Sequence, residues 1–366
     1  MKILFVSYAF WPRVGGIEEV SRTLALAFHH RGNEVRVITD TEENPANPFP
    51  FEVLRRPSGK TLAGAARWSD VIFHNNITLR YAWPLLTVRR PWVIAHHSFI
   101  RESSGKSNWR HYLKRWLLRC GSNIAVSNAI AEDIAVPSVV VGNPYRSEVF
   151  RLIPDISRAD DLAFIGRLVS QKGVHVLLEA LRRLRAEKIT PSLTIYGDGP
   201  ERGSLEALVN SGGLAGQVRF AGVVKDAELA KGLNGHKLAV APAVGPESFG
   251  LVALEAIGCG CAVIASDIGG LRQAVGPCGW IFPPGNADAL AACLKNALTN
   301  PDDLAKRLRH APEHLRQYTV DAVAAKYLEV ISAAARISPR DASSGPPDAA
   351  NSNDGDRQKG AVSRNG

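Results

Sequence analysis

Apolar positions fall into two alternating patterns along most of the chain. Short runs rich in Val, Ile, Leu and Phe, such as KILFV at residues 2–6, predict strands that are covered on both faces. Between them lie stretches with apolar residues every three or four positions, such as EEVSRTLALAFHHRG at residues 18–32, where Gly32 predicts the end of a helix. This alternation predicts parallel sheets with helices on both faces.

The predicted strands form two series. The first is KILFV, EVRVIT, FEVL, VIFH, WVIAHH, NIAV and VVVG, and the second is LAFIG, SLTIYG, VRFAG, KLAVAP, AVIAS and GWIFP. We therefore predict an α/β protein with two doubly wound, Rossmann-like domains. The predicted units are a first domain over residues 1–150, a second over 151–318, a helix over 319–336 that packs back on the first domain, and a disordered tail over 337–366, which is rich in Ser, Gly, Pro, Asn and Asp.

Composition and charge narrow the class of protein. The 366 residues contain 45% hydrophobic residues and no apolar run long enough to predict a membrane span. Five cysteines without a C-x-x-C pair fit a reduced, cytoplasmic protein. The net charge of +9 is concentrated in residues 1–150, which carry 19 Lys and Arg against 12 Asp and Glu, while residues 151–336 carry 21 against 19. This excess indicates an anionic partner such as phosphate, nucleic acid or a membrane.

The segment PESFGLVALEAIGCGCAVIAS at residues 246–266 contains two acids, Glu247 and Glu255, that raise a chemical question. Glu255 lies among apolar helix positions, where an unpaired carboxylate is costly. A sugar nucleotide would supply partners, with sugar hydroxyls at the loop acid, a diphosphate at the helix start and ribose hydroxyls at Glu255. Two solvated acids would give the same spacing, so the spacing alone leaves both interpretations open.

Five segments in order resemble one enzyme family across roughly residues 1–335. They are FWPRVGGIEE, AVSNAIAEDI with VVGNPY, FIGRLVSQKGVHVLLEAL, IYGDGPERGSLEAL and the E-x7-E segment PESFGLVALEAIGCGCAVIASDIGG. Together they resemble the retaining glycosyltransferases of the group 1 family, which have the GT-B fold. The resemblance implies two domains facing across a cleft, and transfer of a sugar from a nucleoside-diphosphate sugar to a saccharide or lipid-linked acceptor in polysaccharide or glycolipid biosynthesis.

The resemblance also assigns roles to residues of this chain. Glu247 would contact the donor sugar and Glu255 the ribose, and the backbone of Ser248, Phe249, Gly250 and Leu251 would face the sugar and diphosphate. Arg167, Lys172, Gly15 and Gly16 would bind the diphosphate, where a guanidinium and an ammonium can stabilise the leaving group. We expect no metal and no cofactor. The D-x-D motif of metal-dependent transferases occurs only in the tail. The donor base is open between UDP, GDP and ADP, and a UDP- or GDP-sugar is expected.

Two consecutive histidines lie at the end of the predicted strand WVIAHH. The family usually has a histidine at this strand end near the reacting sugar, and His97, followed by Ser98, aligns better than His96. His97 would position the sugar or acceptor and would not act as a nucleophile. Retention in the family is commonly assigned to front-face attack, with the leaving diphosphate helping to take the acceptor proton.

The segment RESSGKSNWRHYLKRWLLRC at residues 101–120 interleaves cations with aromatic residues. This pattern is typical of a helix that lies on an anionic membrane, and also of an ordinary helix whose basic face is exposed to solvent. We expect a cytoplasmic protein with peripheral contact to the inner face of the plasma membrane.

Two other functions are compatible with part of this pattern, and two more are not supported by any motif. A sugar-nucleotide epimerase of the same fold would share the donor cleft, and a non-catalytic sugar-nucleotide-binding protein would lack the chemistry. An NAD-dependent oxidoreductase would need G-x-G-x-x-G at the first strand–helix turn, which the sequence lacks. Nucleic-acid binding has no motif beyond charge.

Overall fold

The computed structural model describes residues 1–13, 15–42, 48–100 and 109–336. The predicted disordered tail, residues 337–366, lies outside the described residues, as do residues 101–108 of the basic aromatic segment. None of the described helices is both long and apolar enough to cross a membrane.

A seven-stranded parallel sheet forms the first lobe. Its strand order is β3-β2-β1-β4-β5-β6-β7, and every neighbouring pair is parallel. The strands are β1 Lys2–Val6, β2 Glu34–Thr39, β3 Glu52–Arg55, β4 Val71–Asn75, β5 Trp92–His96, β6 Ser122–Ala125 and β7 Ser138–Val140. The order reverses between β1 and β4, so the first lobe has its topological switch point there.

A six-stranded parallel sheet forms the second lobe in the order β10-β9-β8-β11-β12-β13. Its strands are β8 Asp160–Ile165, β9 Leu193–Tyr196, β10 Val218–Gly222, β11 His236–Ala241, β12 Ala262–Ser266 and β13 Gly279–Phe282. The switch point lies between β8 and β11. Two doubly wound parallel sheets confirm the predicted fold class, because strands buried on both faces leave continuous apolar runs in the sequence.

Helices connect the strands and cover both sheets. They are α1 Gly16–His30, α2 Gly59–Trp68, α3 Trp109–Leu118, α4 Asn128–Ile134, α5 Val174–Ala186, α6 Arg202–Ser211, α7 Asp226–Asn234, α8 Leu251–Gly258, α9 Leu271–Val275, α10 Ala287–Thr299, α11 Pro301–Leu308, α12 Ala311–Arg316 and α13 Val320–Arg336. Short 3-10 helices lie at Leu79–Tyr81, Trp83–Leu86 and Ser170–Lys172.

The last helix, α13, packs on the first lobe although it follows the second in sequence. Val323, Tyr327 and Ile331 of α13 are fully buried in the same apolar cluster as Phe28 and Phe73. The ring of Tyr327 lies edge-on to that of Phe73, with centroids 5.9 Å apart. The chain therefore crosses between the lobes twice, once after β7 and once before α13.

Candidate active site

A cavity of about 340 Å³ lies between the two lobes at the carboxyl ends of their strands. Ligands of doubly wound sheets bind at this edge, next to the switch point. The cavity is lined by residues from the start of α1, the end of β5, the segment after β7, the turn after β8 and the loop after β11: Gly16, Ile17, His97, Asn143, Lys172, Glu247, Ser248, Phe249, Gly250, Leu251 and Val252.

The loop after β11 brings Glu247 and the start of α8 into this cavity. Gly250, the N-cap of α8, has a φ of +98°, and a Cβ there would lie 2.6 Å from the Leu271 side chain. Gly269 has a φ of +57°, and a Cβ there would lie 1.8 Å from the carbonyl oxygen of Glu247. Only glycine satisfies both conditions, because other residues lose free energy at positive φ and need space for a side chain. The first backbone N–H groups of α8 have no partner within the helix and favour an anion.

An ion pair joins Glu247 to Lys172 across 75 residues of sequence. Lys172 Nζ lies 2.5 Å from Glu247 Oε2, and the two side chains are only 35% and 21% exposed. The backbone fixes this approach, because Val244 N and Gly245 N donate to Gln171 O at 2.9 and 3.0 Å. A cation, a carboxylate and a helix start therefore lie beside one another in the lining of the cavity.

His97 lines the cavity, and a buried chain of hydrogen bonds holds its ring in place. It is the residue immediately after β5, which ends at His96, and its Nε2 lies 2.7 Å from Asn75 Oδ1. Asn75 Nδ2 in turn donates to Ser21 Oγ at 2.8 Å. With this amide orientation Nε2 carries the proton and Nδ1 is an acceptor, and Nδ1 has no partner among the described residues. Burial lowers the pKa of His97 to about 4, so the ring is neutral at physiological pH.

His96 has a different environment from its neighbour. Its Nε2 lies 3.0 Å from Asn123 Oδ1, and Asn123 Nδ2 donates to Leu118 O at 2.9 Å. The side chain is fully buried and is not among the residues that line the cavity. The alternation of side chains along β5 places the two histidines on different sides of the sheet edge.

Glu255 lies near the cavity but does not line it. Its side chain is 16% exposed, and Oε1 is 4.0 Å from Arg146 Nη2. Burial raises the pKa of Glu255 to about 7, and the positive charge of Arg146 opposes this rise. Within the part of the chain that the structure describes, Arg146 is thus the one cation that pairs with this carboxylate.

Two other predicted residues also lie outside the cavity lining. Arg167 follows β8 and is exposed, and no ion pair connects it to another described residue. Gly15 is the exposed N-cap of α1, next to Gly16, which does line the cavity. The structure therefore brings together His97, Gly16, Lys172, Glu247 and the 248–251 backbone, and leaves Arg167, Gly15 and Glu255 at the periphery.

Several residues of the site were not predicted from the sequence. Asn143 and Ile17 line the cavity, Asn75 orients His97, and Arg146 faces Glu255. Asn143 and Arg146 lie in the segment GNPYRSEVF, which the sequence marks only as a change of pattern near Pro144. An arginine in a connecting segment is ordinarily solvated, so no local signal distinguishes this one.

Comparison with known proteins agrees with this architecture. The family profile "Glycosyl transferases group 1" matches residues 154–314, and the profile "Glycosyltransferase Family 4" matches residues 14–138. The chain is 35% identical over 377 aligned residues to a glycogen synthase of Mycobacterium tuberculosis, covering 86% of this chain and 90% of that protein. It is 29% identical over 348 residues to a phosphatidyl-myo-inositol mannosyltransferase of Mycobacterium leprae, covering 86% and 92% of the two chains.

The fold has solved counterparts as well. The structure of HepE from Anabaena in complex with UDP superposes with a TM-score of 0.76 at 22% identity, covering 91% of this chain and 100% of that one. Fold, cavity and sequence matches thus define a glycosyltransferase. The chain belongs to the group 1 family of glycosyltransferases and has the GT-B fold.

Proposed function

We propose that this glycosyltransferase moves a sugar from a nucleoside-diphosphate sugar with retention of anomeric configuration. The observation that carries the proposal is the Lys172–Glu247 pair at the start of α8, inside a cavity shared by both lobes. An anion binds well beside an ammonium group and unpaired helix N–H groups, and a carboxylate accepts hydrogen bonds from hydroxyls. A molecule carrying a diphosphate next to a sugar satisfies both needs at once.

The donor would extend along α8 from the loop to the second turn. Its sugar lies between Glu247 and His97, its diphosphate at the backbone of residues 248–251 with Lys172, and its ribose at Glu255. Gly16 lines the cavity, and Arg167 and Gly15, which do not line it, would reach the diphosphate when the lobes close on it. The Anabaena HepE structure contains UDP, which supports a uridine donor, and a GDP-sugar is the alternative.

In this proposal, positive charge stabilises the leaving diphosphate, and the other residues of the site position the sugar. As the bond to the diphosphate breaks, Lys172 and the α8 N–H groups stabilise the negative charge that develops on the leaving group. Glu247 holds the sugar, and His97, which is neutral, accepts a hydrogen bond from a hydroxyl group at Nδ1. The acceptor attacks from the face that the diphosphate leaves, and the diphosphate takes its proton. These groups supply the neutralising charge without a metal.

The acceptor side of the proposal rests on α3. This helix exposes Tyr112, Leu113 and Trp116, with Trp116 55% exposed, while Arg115 turns inward and donates to Asp133 O at 2.8 Å. The side chains of residues 109–111, which include the predicted Trp109 and Arg110, lie outside the described residues. An exposed aromatic face on a basic lobe suits a peripheral contact with an anionic membrane surface. The name of the mycobacterial mannosyltransferase supports a lipid-linked acceptor, and a saccharide is the alternative.

A thermal-shift panel of nucleoside diphosphates and their sugars tests the donor. A ligand bound only by the native state raises the melting temperature, so UDP and GDP series should separate by their base. Transfer to acceptor in a membrane extract, with the anomeric configuration of the product read by NMR, then tests retention. The absence of a shift with every nucleotide, or an inverted product, would contradict the proposal.

A further inference from the structure

Arg146 is a single cation that faces three carboxylates from three different helices. Its Nη1 contacts Asp226 Oδ2 at the start of α7, its Nε lies 3.8 Å from Glu19 Oε1 on α1, and its Nη2 lies 4.0 Å from Glu255 Oε1 on α8. Glu19 belongs to the first lobe and the other two acids to the second. The arginine thus lies where the lobes meet, behind the carboxylate to which the ribose is assigned.

The position of Arg146 is fixed by its surroundings. Its backbone carbonyl accepts from Val149 N and Phe150 N at 3.1 and 2.9 Å, and Tyr145 N donates to Tyr318 O at 3.0 Å. The guanidinium lies 5.3 Å from the centre of the Phe150 ring, which is buried. With its side chain only 19% exposed, Arg146 is held in one place and is weakly screened by water.

The other charged groups near Glu255 oppose its ionisation. Glu19 and Asp226 raise its pKa, as burial does, and Arg146 is the cation that lowers it. The Cys259 thiol at the end of α8 has a pKa raised to about 12 and is neutral. Arg22 pairs with Glu19 at 2.6 Å and lowers the pKa of Asp226, and it is not among the groups that shift the pKa of Glu255. A carboxylate with two acids beside it and one arginine behind it depends on that arginine for its charge.

We propose that Arg146 is a positioning residue for donor binding, which keeps the Glu255 carboxylate ionised and directed so that it accepts the ribose hydroxyls. The inference rests on the proposed function, because it assumes that a nucleotide ribose reaches Glu255. Asp226 and Glu19 also attract Arg146, so they limit how strongly Arg146 stabilises the ionised Glu255. Arg146 would then belong to the donor site, although its side chain does not line the cavity.

The inference predicts a pH dependence with a definite sign. Because the ionised carboxylate binds ribose, nucleotide affinity falls as pH drops below the pKa of Glu255, up to about tenfold per pH unit. Removing Arg146 raises that pKa, so the midpoint of the affinity curve moves to higher pH. Removing Asp226 deletes an acid and frees Arg146 for Glu255, so the midpoint moves to lower pH.

Calorimetric titration of UDP and GDP between pH 5.5 and 9 tests this directly. We expect Arg146→Met to bind about tenfold more weakly than wild type at pH 7 and to recover to within about threefold at pH 9, since one pH unit corresponds to tenfold. Arg146→Lys should stay close to wild type, and Asp226→Asn, a half-exposed position, should move the midpoint to lower pH. Arg182→Met, which removes an exposed cation bonded to Glu179 on α5, is the matched control and should leave the midpoint unchanged.

The outcomes separate this inference from the proposed function. A wild type that binds neither nucleotide overturns both. A wild type that binds, with an Arg146→Met curve that has the same midpoint or is weakened equally at every pH, overturns the inference alone. Asp226→Asn should shift the midpoint pH in the opposite direction, so the inference is still tested if Arg146→Met does not fold. An unchanged midpoint in Asp226→Asn would also overturn it.

Discussion

The two lobes present chemically different surfaces to the cavity they share. The first lobe contributes His97, a neutral ring held by Asn75 and Ser21 through uncharged hydrogen bonds. The second contributes Lys172 and Glu247, a pair of opposite charges, together with the start of α8. Both surfaces lie at the carboxyl ends of parallel strands, so topology alone does not distinguish them. The charged surface suits a diphosphate and the neutral one suits hydroxyl groups.

Replacement of the loop acid tests the charged surface and should have the largest effect. We expect Glu247→Gln to lower kcat/KM for sugar transfer about 10²- to 10³-fold, because the donor sugar loses a charged acceptor and Lys172 loses its partner. Steady-state kinetics with the donor selected by thermal shift would measure it. Glu206→Gln, on the exposed face of α6, is the matched control and should change the rate less than about twofold. A Glu247→Gln enzyme with wild-type kinetics would assign the second lobe another role.

Removal of the imidazole tests the neutral surface. We expect His97→Ala to lower kcat/KM about 10- to 100-fold, the cost of one hydrogen bond to a reacting partner. Since the pKa of His97 is lowered to about 4, the ratio of wild type to variant should be constant between pH 6 and 9. His96→Gln is the control, because His96 does not line the cavity. A ratio that changes across this range would mean that His97 titrates and that the first lobe is not neutral.

A third test asks whether the outer faces of the lobes differ as well. Trp116→Ser on α3 should reduce binding to anionic vesicles about tenfold, because burial of most of one large side chain is worth about 1.5–3 kcal/mol. Leu208→Ser, on a second-lobe helix where Leu208 is 48% exposed, is the matched control and should have no effect. Co-sedimentation at low and high salt would measure both variants. Equal recovery of wild type on neutral and anionic vesicles would contradict the membrane contact.

The smallest expected effect concerns a buried histidine in each lobe. His74 in the first lobe is fully buried with both ring nitrogens unpartnered among the described residues, whereas His314 in the second lobe lies 2.8 Å from Ala274 O. Because an unsatisfied polar group is costly, His74→Leu should raise the free energy of unfolding by about 1 kcal/mol at pH 7, and His314→Leu should lower it. Urea denaturation would show both signs, and a destabilised His74→Leu would contradict the assignment.

The pH dependence of stability follows from the same burial. The pKa of His74 is lowered from 6.5 to about 3, so below pH 6.5 the unfolded chain binds a proton that the folded chain does not. This stability is complete above pH 6.5 and is lost as the pH falls towards 3. His74→Leu should therefore lose less stability than wild type between pH 6.5 and 4. The remaining slope includes His97, whose lowered pKa acts in the same direction.

The fold was largely predictable from local patterns. All thirteen strands of the two sheets fall on predicted apolar runs, with ends that differ by no more than two residues. β5, for example, ends at His96 and not at His97. Strands covered on both faces require unbroken apolar sequence, and this requirement is visible without knowledge of neighbouring strands. The need for glycine at Gly250 and Gly269, in contrast, comes partly from close approaches to Leu271 and Glu247 that only the tertiary structure shows.

Side-chain pairing was decided only by the tertiary structure. The sequence places Lys172 and Glu247 at strand ends, but their approach to 2.5 Å depends on hydrogen bonds between loops on different strands. The proton position on His97 depends on Asn75, 22 residues away, and the charge of Glu255 on Arg146, in a segment between the lobes. Periodicity reports which face of an element is buried. The atoms that meet across two elements depend on how the whole chain packs.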